Sequence, residues 1–531
     1  MSFVSQGFLL FLAIVFLAYY IVPLRFRWIV LLVSSYAFYA LNDVRAFFFI
    51  VLTTCTVFCS GIAIDKINAE QKALLDSKDE KWLSDNKKSA REGFGIKRKR
   101  VVVFALLVNF CILALLKYSG FFVESLNAIL PKLSVSAEIP YLNLLIPLGL
   151  SFYTFQSLGY IVDVYRGKYP ADRNLARFAL FVSFFPQIVQ GPISRYDQLA
   201  HQLTEGHAFD YENFKYGLQL ILWGLFKKLV IADRAAIPAY LVLTNSDQYE
   251  GSQIGFAVLL FTIRVYTDFS GGMDIARGVS KCLGIDMVRN FQRPYFAISI
   301  SDYWRRWHIT LGAWMRDYLL YSITFSKGFA KLNKWSRTHL GSYFGKILPT
   351  CLAMTVVFFA VGVWHGAGWM YIAFGFYNGA LIVIGILLTA PIQKMRNRYP
   401  AINTKKPFVR IGAVLGTFFL VCIGKYFAAA YGLRHALDLL YSTFSAFNPG
   451  GLSAGFLSSI ELDSKELVVL IVSITMLFIV SLIQERGINI RECFARQNIV
   501  LKWLAYCFVV LCILLLSDFG EGIGVFVYQQ F

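Results

Sequence analysis

Apolar residues in this chain come in long runs rather than in alternation. Runs near the length of a membrane span cover residues 7–22, 46–64, 101–116, 142–164, 218–231, 254–266, 346–364, 370–389, 411–431, 467–482 and 503–516. A helix of roughly 20 such residues crosses about 30 Å of hydrocarbon. Helices are required, because unpaired backbone groups cannot be left in lipid. The pattern therefore predicts an all-α, polytopic integral membrane protein with about 11 to 12 transmembrane helices. The run 178–189 is shorter, contains Pro186-Gln187 and is followed by Gly191-Pro192, so it predicts a re-entrant piece.

Composition agrees. The 531 residues are 57% hydrophobic and only 16% charged, against about 25% charged in ordinary soluble domains. The formal charge of +19, from 51 Lys+Arg against 32 Asp+Glu, fits positive cytoplasmic loops better than nucleic-acid binding at this hydropathy. Residues 65–100 hold eleven Lys/Arg and seven acidic residues and end in Lys97-Arg98-Lys99-Arg100. That segment is expected inside, with both termini outside, and the basic clusters 394–410 and 486–502 also fall inside. The first run has no basic stretch before it and no cleavage site after it, and reads as a retained span. Nine cysteines are scattered without ligand spacing and read as small buried hydrophobes, so no metal or disulfide framework is expected. The segments 65–100 and 432–466 are the only sizeable soluble stretches. A soluble catalytic partner would have to be a separate chain.

Of six histidines, His201, His207, His339 and His435 lie in polar loops and read as surface residues. His365 sits between two apolar runs in Trp364-His365-Gly366-Ala367-Gly368-Trp369, with no charge nearby. An ionisable group at membrane depth is costly and so a functional candidate, and neighbouring glycines permit irregular backbone and close approach of a ligand. A neutral imidazole there could act as a general base. An interfacial anchor or a helix-packing hydrogen bond explains the same residues. His308, in Tyr303-Trp304-Arg305-Arg306-Trp307-His308, lies in a stretch that also makes an aromatic and basic interfacial belt. Arg305, Arg306, Arg316, Arg293 and Lys281 could meet phosphates of lipid headgroups or of a donor such as coenzyme A.

Several pieces, in order, resemble the membrane-bound O-acyltransferase family, in the branch serving bacterial cell-surface polysaccharides and related to the teichoic acid D-alanyl transfer proteins. They are Pro147-Leu148-Gly149-Leu150-Ser151-Phe152-Tyr153-Thr154-Phe155-Gln156, Asp163-Val164-Tyr165-Arg166-Gly167 and Phe185-Pro186-Gln187 with Gly191-Pro192-Ile193. Further pieces are Asp268-Phe269-Ser270-Gly271, Asn290-Phe291, Arg293-Pro294-Tyr295, Trp304-Arg305-Arg306-Trp307-His308, Trp314-Met315-Arg316-Asp317-Tyr318 and Trp364-His365-Gly366-Ala367.

The resemblance implies one membrane domain over 1–531, with N-terminal helices 1–116, the basic inner loop 65–100, a catalytic core 140–390, C-terminal helices 408–517 and an extracytoplasmic tail 518–531. It implies helices around a central tunnel, with His365 as the family's membrane histidine and His308 as the second histidine of this branch. A span-by-span count places His308 inside and His365 near the outer end of a span, whereas the family brings both toward the middle through broken helices. The expected activity is O-acyl transfer in the bacterial cytoplasmic membrane, from a cytoplasmic thioester, acetyl-CoA, toward O-acetylation of an extracellular polysaccharide. No tightly bound cofactor or metal is expected. Arg305, Arg306, Arg316, Trp304 and Asp317 are the candidate donor-binding residues, and an extracytoplasmic esterase-like (SGNH) acyltransferase is the expected partner. The ending Phe526-Val527-Tyr528-Gln529-Gln530-Phe531 matches an F-x-Y-x-x-F signature of such systems, which makes Tyr528 a candidate acyl relay; an aromatic interface anchor is the alternative. D-alanyl transfer is the alternative within the family. A proton-coupled transporter is disfavoured by the lack of internal repeats and of intramembrane Asp/Glu pairs.

Overall fold

In a computed structural model, described over residues 3–134, 136, 138–141, 144, 146–399 and 406–517, every regular element is helical. Nine helices among these residues are long and apolar enough to cross a membrane. Other apolar runs fall in shorter or broken helices. Gln6–Ile21 has 16 residues, and the run at 218–231 passes from the helix Tyr211–Leu225 into a π-helical turn, Phe226–Ala232. Leucines and phenylalanines point outward along the long helices, as at Leu504, Phe508, Leu511 and Leu515, a surface suited to lipid rather than water. Cys55, Cys59, Cys111 and Cys507 share that exposed surface, contrary to the expectation of burial.

The chain forms two units. The first comprises residues 1–218 and 276–288. Its core gathers Phe38, Tyr153, Tyr160, Phe178, Phe181, Phe184 and Phe185, all essentially inaccessible. The short apolar run becomes two helices, Leu175–Ser183 and Phe185–Gln190, broken at Phe184 before Pro186. The Phe185 N–H left over at the break donates to the Ser35 hydroxyl at 3.1 Å, which answers the need to pair buried backbone groups. The expected basic loop 65–100 is helical almost throughout. The helix Phe47–Asp76 runs into it, and after a break the helix Glu80–Ile129 begins, capped by the Asp79 carboxylate on the Trp82 N–H at 3.0 Å. Lys, Glu and Arg are good helix formers, and a sequence this charged extends the flanking spans instead of interrupting them.

The second unit comprises residues 219–275 and 289–531. Its long helices are Gly251–Cys282 as far as Ile275, then Gly341–His365, Trp369–Arg398, Pro407–Ala429, Ser464–Glu485 and Ile499–Leu516. Gly341–His365 and Trp369–Arg398 form a tight hairpin. A Cβ at Gly362 would lie 2.5 Å from the Tyr371 carbonyl oxygen and 3.0 Å from Gly375 Cα, so glycine is what lets these backbones touch. Between residues 300 and 324 the chain is a series of short pieces: Ile300–Arg306, Ile309–Trp314, a π-helical turn Met315–Leu320 and Tyr321–Thr324. Pro407 opens its helix and Asp463 caps Ser464–Glu485 through the N–H groups of Lys465 and Glu466.

Candidate active site

His365 is the last residue of the helix Gly341–His365, half-buried, and Gly366 continues in extended backbone. Its Nδ1 lies 2.8 Å from the Val361 carbonyl oxygen. A carbonyl can only accept, so Nδ1 carries the proton and Nε2 is the basic nitrogen. The negative end of the helix dipole complements the positive charge that forms on the ring once Nε2 takes a proton. Phe374 packs on the same ring at 5.2 Å between centroids.

His308 is fully buried, with φ 46° and ψ 53°, at the join between Ile300–Arg306 and Ile309–Trp314. The left-handed conformation is uncommon for a residue with a Cβ. Asn290 holds the ring, with its Nδ2 3.2 Å from Nδ1 of His308. Phe269 closes over the same ring, 5.0 Å away between centroids. The indole of Trp364 stands edge-on to both histidines, 5.3 Å from His308 and 5.0 Å from His365 between centroids. The two candidates that a span count put on opposite sides thus meet on one side chain.

The donor-binding candidates divide. Trp304 donates its indole N–H to Asn378 Oδ1 at 3.2 Å and packs edge-on to Phe358. Arg306 reaches Glu485 at 3.0 Å and Asp302 at 3.1 Å, and Glu485 also takes Arg293 at 2.7 Å and Arg410 at 3.0 Å. That convergence is a structural clamp. Arg305 is largely exposed, with Asp302 only at 3.7 Å, and Arg316 is exposed and aligned by Asp317 at 2.8 Å. Lys281 pairs with Asp286 at 2.7 Å in the first unit. Tyr528 lies outside the described residues.

Sequence reasoning missed several buried groups. Lys228 sits between Asp268 at 2.7 Å and Asp233 at 2.8 Å, all three buried, and Lys227 pairs with Asp274 at 2.8 Å. A Lys-Lys pair inside an apolar run was the available signal. This cluster removes the lack of buried carboxylate pairs as an argument against a transporter. Lys425 is buried in Pro407–Ala429 with its ammonium 4.7 Å from the Trp307 ring centroid, a cation–π distance. Asn290 stood in a quoted motif without a role. His435 is buried and stacked on Tyr431 at 3.8 Å, and His207 is half-buried, so neither is the surface residue expected; His201 and His339 are exposed. Among the described residues, no group of three or more His, Cys, Asp or Glu is arranged to hold a metal ion.

A multi-helix membrane protein in which a half-buried and a fully buried histidine share one indole is an arrangement suited to group transfer. Residues 170–344 match the family model of MBOAT, the membrane-bound O-acyltransferase family. The chain is 34% identical over 386 residues to the probable alginate O-acetylase of Azotobacter vinelandii, covering 72% of this chain and 68% of that protein. It is 31% identical to the same-named protein of Pseudomonas syringae pv. tomato, covering 85% and 77%. To the teichoic acid D-alanyltransferase of Bacillus subtilis it is 28% identical, covering 55% and 71%. The chain belongs to the membrane-bound O-acyltransferase family: it is a multi-pass membrane O-acyltransferase that draws on an acyl donor.

Proposed function

We propose that this protein moves an acetyl group from a cytoplasmic thioester, acetyl-CoA, across the bacterial cytoplasmic membrane for O-acetylation of an extracytoplasmic polysaccharide, with His365 as general base. The observation that carries the reading is the tautomer of His365, whose Nδ1–H is committed to the Val361 carbonyl while Nε2 keeps its lone pair. Nε2 takes the proton of an acceptor hydroxyl. The oxygen attacks the thioester carbonyl, the C–S bond breaks, and the leaving thiolate recovers the proton from the imidazolium. Arg305 and Arg316, the exposed guanidiniums, are assigned to the donor's phosphates, with Asp317 aligning Arg316; Arg306 and Trp304 hold the surrounding segment. The acetyl group, rather than D-alanine, is favoured because the O-acetylase relatives match more of this chain at higher identity.

Tyr528 is proposed as the relay, its phenol receiving the acetyl group as an ester and passing it to an extracytoplasmic SGNH-type transferase. Both termini would then lie outside, and residues 140–390 would form the catalytic core. Purified protein is incubated with labelled acetyl-CoA. Wild type is expected to transfer label, and His365→Gln to lose about 10²–10⁴-fold in rate while melting as wild type does. Full activity in His365→Gln would end the assignment of the base. Label absent from Tyr528 in an active protein would end the relay.

A further inference from the structure

The amide of Asn290 has only one orientation that its neighbours accept. The backbone N–H of Thr310, at 2.9 Å, can only donate, so the atom it meets is Oδ1, and the Thr310 hydroxyl joins it at 3.0 Å. The other end of the amide, Nδ2, then faces His308, and an NH₂ group can only donate. Nδ1 of His308 must accept at 3.2 Å, which places that ring's proton on Nε2. His365 has the opposite arrangement, with its proton on Nδ1. The backbone fixes Asn290 as well, since its carbonyl accepts from the Ile309 N–H at 3.0 Å, and the left-handed turn at His308 swings the ring onto the amide. Strained backbone of this kind persists where surrounding contacts over-determine it.

We propose that Asn290 is a positioning residue that locks His308 in the Nε2–H tautomer, so that His308 offers a hydrogen-bond donor to the reacting oxygens and cannot substitute for His365 as the base. The pairing is polar by construction: one ring gives a proton at Nε2, the other takes one. The donor role rests on the acyl-transfer reading above; the tautomer lock does not.

Asn290→Asp separates the contributions. An aspartate keeps the oxygen facing Thr310 and nearly the same volume, but as a carboxylate it presents a second acceptor to His308, which must then carry its proton on Nδ1. Nitrogen-15 spectra of histidine-labelled full-length protein in nanodiscs, with His308→Gln identifying the signal, are expected to show a protonated Nε2 in wild type and a protonated Nδ1 in Asn290→Asp. Turnover of labelled acetyl-CoA in Asn290→Asp is expected to fall on the order of 10²-fold in kcat, with KM little changed. A wild-type His308 protonated on Nδ1 overturns the lock, and this arm stands even if the variant does not fold. An inverted tautomer with wild-type kcat overturns the donor role. If wild type transfers no acetyl group, the proposed function fails and the spectra still decide the lock.

Discussion

Gly366 follows the proposed base directly, and Gly366→Ala tests whether that position is shaped to place the ring. A Cβ there would lie 2.8 Å from Cζ of Tyr371 and closer still to two other ring carbons. Carbon atoms settle at about 3.5–4.0 Å, so the Tyr371 ring or the adjoining His365–Gly366 peptide must yield by about 1 Å. A flat ring at the start of a long helix has little freedom to retreat, and part of the shift falls on His365. A misplacement of 1 Å costs on the order of 10²-fold in rate, or about 2.7 kcal/mol in the barrier. Overpacking costs about 1–3 kcal/mol of stability. Gly368→Ala is the control: its Cβ would meet the thioether of Met370, with the sulfur at 2.5 Å, and a methionine re-arranges readily. Initial rates of acetyl transfer and melting temperatures are measured for both variants and for Gly366→Ala with Tyr371→Leu. Gly366→Ala should be about 100-fold slower than Gly368→Ala, and Tyr371→Leu should restore much of the loss relative to Tyr371→Leu alone. Equal rates for the two alanine variants, or no recovery in the double variant, would refute the steric reasoning.

Glu485→Gln removes the charge on which Arg293, Arg306 and Arg410 converge and should cost on the order of 3 kcal/mol, read as a lowered melting temperature. Arg410→Ala, at the exposed edge of the same clamp, should cost about 0–1 kcal/mol; equal losses would show that the clamp is not centred on Glu485. Arg316→Ala should raise the donor KM several-fold, roughly the loss of one charge-assisted contact, without lowering the melting temperature, and an unchanged KM would remove Arg316 from the donor site.

His365 stood out in the sequence as a histidine between two apolar runs and among glycines, but an interfacial anchor or a helix-packing hydrogen bond explained those residues equally well, and the family resemblance is what singled it out as the candidate base. The helices were legible because their hydrophobic runs are long. What failed had local physical causes. The charged segment 65–100 looks like a loop by polarity, yet its residues favour helix and Asp79 supplies a cap. Lys228 and Lys425 were absorbed into apolar runs because hydropathy averages a few charges away; Asp233 lies only five residues from Lys228, whereas the contacts with Asp268 and Trp307 depend on distant segments. Asn290 carried no signal by itself, since its importance lies in what Thr310 forces its amide to do.

The two histidines share one more property, which explains why a topological count separated them. Each sits where a helix stops: His365 at the final position of Gly341–His365, His308 in the left-handed residue before Ile309–Trp314. A histidine in the middle of a span presents its ring to lipid or to packed side chains, while its backbone is fully spoken for. At a break the ring can turn along the helix axis, its Nδ1 can reach a carbonyl or an amide within the same unit, and a glycine or a short helix can let another segment approach. A break leaves backbone groups that must find partners, so it persists where other segments pack around it. Counting spans assumes that each apolar run goes straight across and assigns its ends to opposite faces. The short pieces between residues 300 and 324 do not, and Trp364 is therefore able to touch both rings.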